Sequence, residues 1–462
     1  MSRRHSFIIL TLLFFLWGFI TVLNDILIPY LKKVFELSYF QANLVQFAFF
    51  GAYFIGSLLY FIYSVKQGDP ISKIGYKNGI VIGLVISSIA CALFYPAASY
   101  HSYPFFLSAL FLLGIGFTLL QIAANPYVAV LGTPETASSR LNLSQAFNSF
   151  GTTIGPVIGG YLIFKYFITP GSISAEAVQV PYLALAIILA LLAIFFKLIP
   201  LPEIKGEEAI ERKAGALQHS NLVFGAIAIF CYVGAEVSIG SNLVSFMHLP
   251  EIAGLAEGDA SKYLAYYWGG AMIGRFMGAI SLSQLSALQK QIYMLLAAGA
   301  AFLLIYLITG IPIAQTWYFL LFLGLNYVVF LFGKGLPART LALFAATAIV
   351  LLCAGMLTDG IWALWALLAI GLFNSIMWSN IFTLSIHGLG SYTSQGSSLL
   401  VMMILGGALL PPLQGLLADS WGVHHSFVLA ILCYAYLFFF GAKGYLPKMR
   451  GKRQVEIQAP IH

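Results

Sequence analysis

The chain is poor in charged residues and in cysteine. Only 8% of its 462 residues are charged, against roughly 25% in a soluble domain. Its four cysteines stand singly in apolar stretches, with no metal-ligand or disulfide spacing, so we interpret them as small core residues. This composition excludes an ordinary soluble domain and predicts neither a metal site nor a disulfide framework.

The chain is instead a series of apolar runs of about 20 residues, each long enough to cross a hydrocarbon core of about 30 Å as a helix. The first is too long for the apolar core of a signal peptide and lacks a cleavage site. We therefore predict an all-α polytopic membrane protein with fourteen hydrophobic segments. They lie near 7–31, 39–65, 77–99, 103–131, 143–166, 181–200, 221–247, 263–285, 291–309, 313–333, 340–358, 361–387, 397–418 and 425–446.

Positive charge is distributed unevenly over the connections between these segments. With a cytoplasmic N-terminus, all but four of the 23 lysines and arginines fall on the cytoplasmic side; the exceptions are Lys32, Lys33, Lys165 and Lys262. This bias predicts cytoplasmic N- and C-termini and an even number of segments. The net charge of +7 then reflects topology, so we expect the lipid bilayer and no nucleic acid as a partner.

A charged connector, residues 201–220, divides the chain into two halves that form a weak repeat. In both halves an asparagine is followed by Leu-Gly, Ser-Gln and Gly-Gly pairs in the same order. Parallel repeats joined by a linker are the plan of major-facilitator transporters. We predict a six-helix bundle over 1–200, the linker, a second bundle over 221–446 with an inserted two-helix hairpin at about 289–334, and a cytoplasmic tail over 447–462.

Two carboxylates lie deep in apolar segments, Asp25 and Glu236. A charged side chain at mid-bilayer costs about 2.5–3.5 kcal/mol, so such residues usually have a function. We predict ion coupling for both residues. The alternatives are a structural carboxylate bonded to neighbouring helices for Asp25, and a partner for a hydroxyl or for Arg275 in the case of Glu236.

Several motifs resemble those of the fucose:proton symporter and glucose/galactose transporter family. They are Leu16-Trp17-Gly18 with Leu23-Asn24-Asp25-Ile26-Leu27-Ile28-Pro29, Ala123-Ala124-Asn125-Pro126-Tyr127-Val128, the stretch Arg140 to Gly151, Tyr232 to Ser241, and Ile273-Gly274-Arg275-Phe276. The resemblance covers the whole chain except the inserted hairpin. It implies a twelve-helix major-facilitator core and cation-coupled uptake of a monosaccharide.

The resemblance also implies roles for individual residues. Asp25 matches the aspartate that carries the coupling proton in the fucose symporter. Gln121 stands where that symporter has a glutamate, as in the glucose/galactose branch, and an amide can bind a hydroxyl but cannot titrate. Gln145 and Asn148 match sugar-contacting positions, and Asn142 lies one helical turn earlier.

Weaker candidates complete the predicted site. For substrate binding we add Asn24, Trp268, Asn374, Trp378 and Gln395. Rows of glycine four residues apart predict close helix packing, either as a sliding contact between the fifth and eighth helices or as static packing. The predicted gating or structural residues are Arg140, Arg275, Gly151, Gly155, Gly270 and Gly274.

These features together predict a bacterial inner-membrane symporter and not an enzyme. The expected substrate is a neutral hexose such as glucose, galactose or N-acetylglucosamine, coupled to H⁺ or Na⁺, with no cofactor and a monomeric protein. Two alternatives stay open: an L-fucose:proton symporter, and a drug/proton antiporter on the same fold. The amide-rich interior favours a sugar over a greasy cation.

Overall fold

The structure, a computed structural model, describes residues 3–37, 39–161, 175–202 and 213–447; within these ranges the side chains of residues 23–30 and 156–161, among others, are outside the description. Twelve helices are long and apolar enough to cross a membrane within the part of the chain described. Two more helices of 25 residues each would span about 37 Å but are more polar. The predicted all-α membrane fold is confirmed.

The helices follow one another with short connections. They are α1 Arg3–Val34, α2 Tyr39–Gln67, α3 Pro70–Ile74, α4 Tyr76–Ala92, α5 Phe94–Ser99, α6 Tyr103–Val130, α7 Ala137–Tyr161, α8 Gln179–Leu198, α9 Ser220–His248, α10 Glu257–Ser281, α11 Ala287–Thr309, α12 Ile313–Gly333, α13 Pro337–Leu357, α14 Gly360–Asn374, α15 Met377–Ile386, α16 Thr393–Met402, α17 Gly406–Trp421, α18 Val423–Ser426 and α19 Val428–Phe439.

The two halves pack their helices in the same order. In the first half α1 packs on α7, α2 on α6, and α4 on both α6 and α8. In the second half α9 packs on α17, α10 on α14, and α13 on both α14 and α19. Two close backbone approaches also correspond: a Cβ at Gly151 would lie 2.3 Å from Phe15 O, and a Cβ at Gly406 would lie 2.1 Å from Phe230 O.

Helices α11 and α12 interrupt this correspondence. They lie between α10 and α13 in the chain and pack on α10, α13 and α14. Their other faces are apolar and open, with Leu296 and Leu307 64% and 69% exposed, which suits contact with lipid. Among the described helices of the first half, none occupies the equivalent place.

The halves meet along a surface that we call the seam. It is formed by α2, α6 and α7 of the first half and by α10, α15, α16 and α17 of the second. One end of the seam lies beside the start of the linker. There Lys77 Nζ donates to Ile199 O at 2.6 Å, and Tyr127 Oη donates to Pro202 O at 2.8 Å. We call this end the linker face.

Four of the predicted glycines pack helices within a half. Gly151 and Gly155 lie against α1, and Gly270 and Gly274 lie against the α14 end, where a Cβ on Gly274 would be 2.7 Å from Leu372 O. The fifth and eighth helices of the core, α7 and α10, do pack against each other, but the nearest neighbours of these four glycines lie within their own halves, and a sliding contact stays a prediction. Static packing, the alternative, accounts for all four positions because small residues let backbones approach closely.

Candidate functional site

An arginine and a glutamate form the charged centre of the seam. Arg275 Nη2 lies 3.7 Å from Glu236 Oε1, and both side chains are almost buried, 15% and 12% exposed. Arg275 also donates through Nε to Ser375 O at 3.1 Å and through Nη1 to the Ser149 hydroxyl. Because Ser149 belongs to α7, the guanidinium joins the two halves.

This arrangement bears on two predictions. Glu236 has Arg275 as its partner, which was the alternative to an independent ion site. Arg275 had been counted among the cytoplasmic positive charges, but it is buried in the seam and is not a loop residue. Without Arg275 the prediction of cytoplasmic termini rests on the remaining lysines and arginines counted on that side.

A series of hydrogen bonds extends from the Glu236 backbone through Tyr267 and Asn374 to Tyr434. Tyr267 Oη donates to Glu236 O at 2.8 Å, Asn374 Nδ2 donates to Tyr267 Oη at 2.9 Å, and Tyr434 Oη donates to Asn374 Oδ1 at 2.5 Å. All of these side chains except Glu236 are 1% exposed or less. In this conformation both ends of the Asn374 amide bond to tyrosines, and the role of Asn374 in substrate binding stays a prediction.

The first half contributes amides to the seam. Gln121 of α6 is 4% exposed and lies beside the Tyr53 hydroxyl, which also neighbours Trp17. Gln145 of α7 is 7% exposed and has no hydrogen-bond partner among the described side chains. Asp25 and Asn24 belong to α1, but their side chains lie outside the described residues.

Asn148 is partly committed to the fold. Its Nδ2 donates to Phe14 O at 2.9 Å, and a Cβ on Gly18 would lie 2.1 Å from Asn148 O. Its Oδ1 has no partner among the described residues, so a substrate could use that oxygen and the second N–H of Nδ2 without breaking the contact between α1 and α7. Gln145 is therefore the freer of the two amides predicted to contact sugar.

The linker face is closed by hydrogen bonds across the seam. The Ser138 and Thr383 hydroxyls lie 2.6 Å apart, Ser139 Oγ donates to Ala279 O at 2.6 Å, and Asn142 Nδ2 donates to Asn380 Oδ1 at 3.1 Å. Asn142 is fully buried here. In this conformation Asn142 bridges the halves, and its role in substrate binding stays a prediction.

Gln395 also lies at the linker face and not in the substrate region. Its Oε1 accepts from Ala216 N at 3.0 Å, and its Nε2 donates to Ser64 Oγ and Lys213 O, both at 3.2 Å. It thus attaches the end of the linker to α2 and α16. In this conformation the Gln395 amide is bonded within the protein, and its role in substrate binding stays a prediction.

The loop after α2 contributes another contact to the linker face. Asp69 caps α3 through Ile71 N at 3.2 Å, accepts from Ser72 Oγ at 2.9 Å, and accepts from Tyr60 Oη. Ser394 of α16 lies near this carboxyl across the seam and helps to lower its pKa. Burial raises the pKa of the Asp69 carboxyl, although these donors oppose that shift.

The remaining predicted residues have simpler surroundings. Arg140 donates to Val128 O and Thr133 O, both at 3.0 Å, so it caps the end of α6 and has a structural role. Trp268 is 42% exposed and packs edge-on against Tyr267. Trp378 is 8% exposed, and its indole N–H has no partner among the described residues.

Sequence reasoning missed several residues that the structure brings into the seam. Ser149, Tyr267 and Tyr434 bond to the predicted residues Arg275 and Asn374. Ser149 lies four residues after Gln145 on the same helical face, a signal that could have identified it. The two tyrosines sit in ordinary apolar helices and gave no such signal.

Two helical bundles of matching order that face each other across a polar, ion-paired seam define a membrane transporter of the alternating-access class. The sequence profile of the Major Facilitator Superfamily matches residues 7–338. The chain belongs to the Major Facilitator Superfamily.

Relatives match along almost the whole chain. A protein named glucose/galactose transporter from Brucella abortus biovar 1 (strain 9-941) is 48% identical over 440 residues, covering 94% of this chain and 93% of the relative. A protein named L-fucose-proton symporter from Escherichia coli (strain K12) is 32% identical over 466 residues, covering 95% and 93%. The crystal structure of the transporter FucP in the outward conformation has a TM-score of 0.75 and 31% identity, covering 96% of this chain and 99% of that chain.

Proposed function

We propose that the protein is a cation-coupled symporter that imports a neutral monosaccharide, most simply glucose, galactose or a related hexose such as N-acetylglucosamine. The observation that carries this proposal is Gln145, a nearly buried amide in the seam with no partner among the described side chains. An amide offers both a donor and an acceptor, as sugar hydroxyls do. The relatives named glucose/galactose transporter support the same substrate class.

The coupling ion, H⁺ or Na⁺, binds at carboxylates in this proposal. Asp25 of α1 is the first, and Glu236, which faces Arg275 at 3.7 Å, is the second. Binding of a cation at Glu236 would weaken its attraction to Arg275 and free the guanidinium for Ser149 and Ser375. This gives a route by which ion binding in one half changes contacts to the other.

The proposed topology places the linker face in the cytoplasm. The distribution of lysine and arginine supports this orientation, with cytoplasmic termini, a bacterial inner membrane and a monomeric protein. The two bundles are proposed as 1–200 and 221–446, with the inserted pair at about 289–334. In this orientation the contacts at Thr383, Asn380 and Gln395 keep the cytoplasmic end closed.

The test is uptake by the purified protein in proteoliposomes. Labelled D-glucose, D-galactose, N-acetylglucosamine and L-fucose are offered under pH and sodium gradients imposed separately. We expect saturable accumulation of at least one hexose under one gradient. Preference for L-fucose would favour the fucose alternative, and exchange of lipophilic cations for protons, without sugar uptake, would refute the proposal.

A pair of glutamine variants sharpens this test. Gln145→Leu is expected to raise the half-saturation concentration about tenfold, the equivalent of about 1.4 kcal/mol for one or two lost hydrogen bonds. Gln179→Leu is the matched control, because Gln179 bonds Ser99 Oγ at 3.0 Å at the start of α8, away from the seam. Equal effects of the two variants would remove Gln145 from the site.

A further inference from the structure

The helix that follows α13 is interrupted between α14 and α15. Residues Ser375 and Ile376 separate the two segments inside a candidate span of 27 residues, Gly360–Ile386. The last carbonyls of a helix have no partner within it, and in a hydrocarbon environment each must find one elsewhere. The partners of these carbonyls therefore decide whether the interruption is stable.

Three side chains supply those partners. Leu372 O accepts from Ser375 Oγ at 2.7 Å and from Asn326 Nδ2 at 3.1 Å. Ser375 O accepts from Arg275 Nε at 3.1 Å. Ser375 belongs to the interruption itself and Arg275 to the neighbouring helix α10. Asn326 comes from α12, one of the two helices that have no counterpart in the first half.

Asn326 does more than fill space between helices. It is fully buried, and its Oδ1 has no partner among the described residues, so its amide is placed in the interior at a cost. A further polar contact of this helix, in which Tyr263 Oη donates to Gln315 Oε1 at 2.7 Å, reaches α10 and not the interruption. The inserted pair is therefore also attached to α10 by a contact that does not involve Asn326.

The interruption in turn holds the charged centre of the seam. α10 approaches it so closely that a Cβ on Gly274 would lie 2.2 Å from Ser375 Oγ. The next residue, Arg275, bonds Ser375 O, faces Glu236 at 3.7 Å and donates to Ser149 of the opposite half. A shift of the interruption must therefore move the guanidinium.

We propose that the inserted pair α11–α12 braces the α14–α15 interruption, and that Asn326 is a positioning residue that holds Arg275 in place across the seam. The pair is then part of the transport machinery and not only a lipid-facing addition. This inference rests on the proposed transport function for one of its two readouts.

The first readout is equilibrium exchange of labelled sugar in proteoliposomes. Asn326→Leu keeps the volume and removes the donor; we expect the maximal rate to fall about tenfold, equivalent to about 1.4 kcal/mol. The half-saturation concentration should change by less than about twofold, because Asn326 does not face the substrate. Gln315→Met, which removes the contact between α12 and Tyr263 of α10, is the matched control and should resemble the wild type.

The second readout is thermal unfolding of the purified protein in detergent, which needs no substrate. A double-mutant cycle combines Asn326→Leu with Ser149→Ala, and Asn326→Ser replaces the leucine variant if that one does not fold. Since both residues act through Arg275, their effects should be non-additive. Additive effects, or an Asn326 variant that behaves as Gln315→Met does, would overturn the brace. Absence of transport in the wild type would instead count against the proposed function, and the thermal cycle would still decide the brace.

Discussion

Closure of the linker face depends on a few hydroxyl and amide contacts that can be removed singly. The Ser138 and Thr383 hydroxyls lie 2.6 Å apart across the seam, and the two residues are 3% and 8% exposed. Thr383 already donates to Ser379 O at 2.8 Å, so Ser138 is the donor between them. Thr383→Val keeps the shape of the side chain and leaves the Ser138 hydroxyl without its acceptor while the face is closed.

The size of the effect follows from the surroundings of this bond. In the open state water can reach Ser138, so the variant destabilises the closed state selectively. Interhelical hydrogen bonds in membrane proteins average about 0.6 kcal/mol and reach about 1.7 kcal/mol. Because about 1.4 kcal/mol is a factor of ten, the ratio of closed to open molecules should fall by about threefold to about eighteenfold.

The assay is a distance measurement by pulsed electron paramagnetic resonance. Spin labels at Thr133→Cys and His387→Cys, in a background without the four native cysteines, report the separation of exposed positions on the two halves. The two labelled positions lie close together in the closed state, because Thr133 is two residues before Glu135 and His387 contributes to lowering the pKa of Glu135. We expect Thr383→Val to increase the long-distance population.

The control is a threonine that bonds only within its own helix. Thr347 Oγ1 donates to Leu343 O at 2.9 Å, and Thr347→Val removes a hydroxyl without touching the seam. If Thr383→Val and Thr347→Val give the same distance distribution, the bond between Ser138 and Thr383 does not stabilise closure and the reasoning fails.

Three other predictions concern carboxylates. Because the pKa of Asp69 is raised in the closed linker face, protons bind the closed form more tightly, and acidification should favour closure. This contribution to closure should be lost as the pH rises through the Asp69 pKa. Asp69→Asn should remove the pH dependence in the same distance measurement. Glu236→Gln leaves Arg275 without its counter-charge, so we expect a loss of about 3 kcal/mol in stability and a changed ion dependence of uptake; an unchanged ion dependence would exclude Glu236 from coupling. Asp25→Asn should abolish gradient-driven accumulation while sparing counterflow exchange, and unchanged accumulation would exclude Asp25 as a carrier of the coupling ion.

The helices could be predicted closely because each spans the bilayer by itself. The segments predicted near 291–309 and 313–333 correspond to α11, Ala287–Thr309, and α12, Ile313–Gly333. Length and apolarity are local properties, so they can be evaluated without knowing any neighbour. The interruption after Asn374 escaped prediction because its carbonyls are stabilised by residues from other helices.

The polar residues could be found but not assigned to a partner. Asn142, Asn374 and Gln395 were correctly recognised as unusual in apolar helices, yet each is bonded within the protein. A sequence gives the face of a helix on which an amide lies, but not the helix opposite that face. The same limit applied to Cys231 and Cys433, which are far apart in the sequence but lie side by side between α9 and α19.

The sequence alone determined the class of this protein: apolar segments of membrane-spanning length, the charge bias of their connections, two related halves and the expensive carboxylates Asp25 and Glu236. These follow from the cost of placing charge and unpaired backbone in hydrocarbon, which acts on each segment separately. Only the tertiary structure decided which polar groups are free and which are paired. In the structure Glu236 pairs with Arg275, Asn142 bonds across the closed linker face, and Gln145 has no partner among the described side chains. Only the tertiary structure decides this, because pairing depends on distances between helices far apart in the chain.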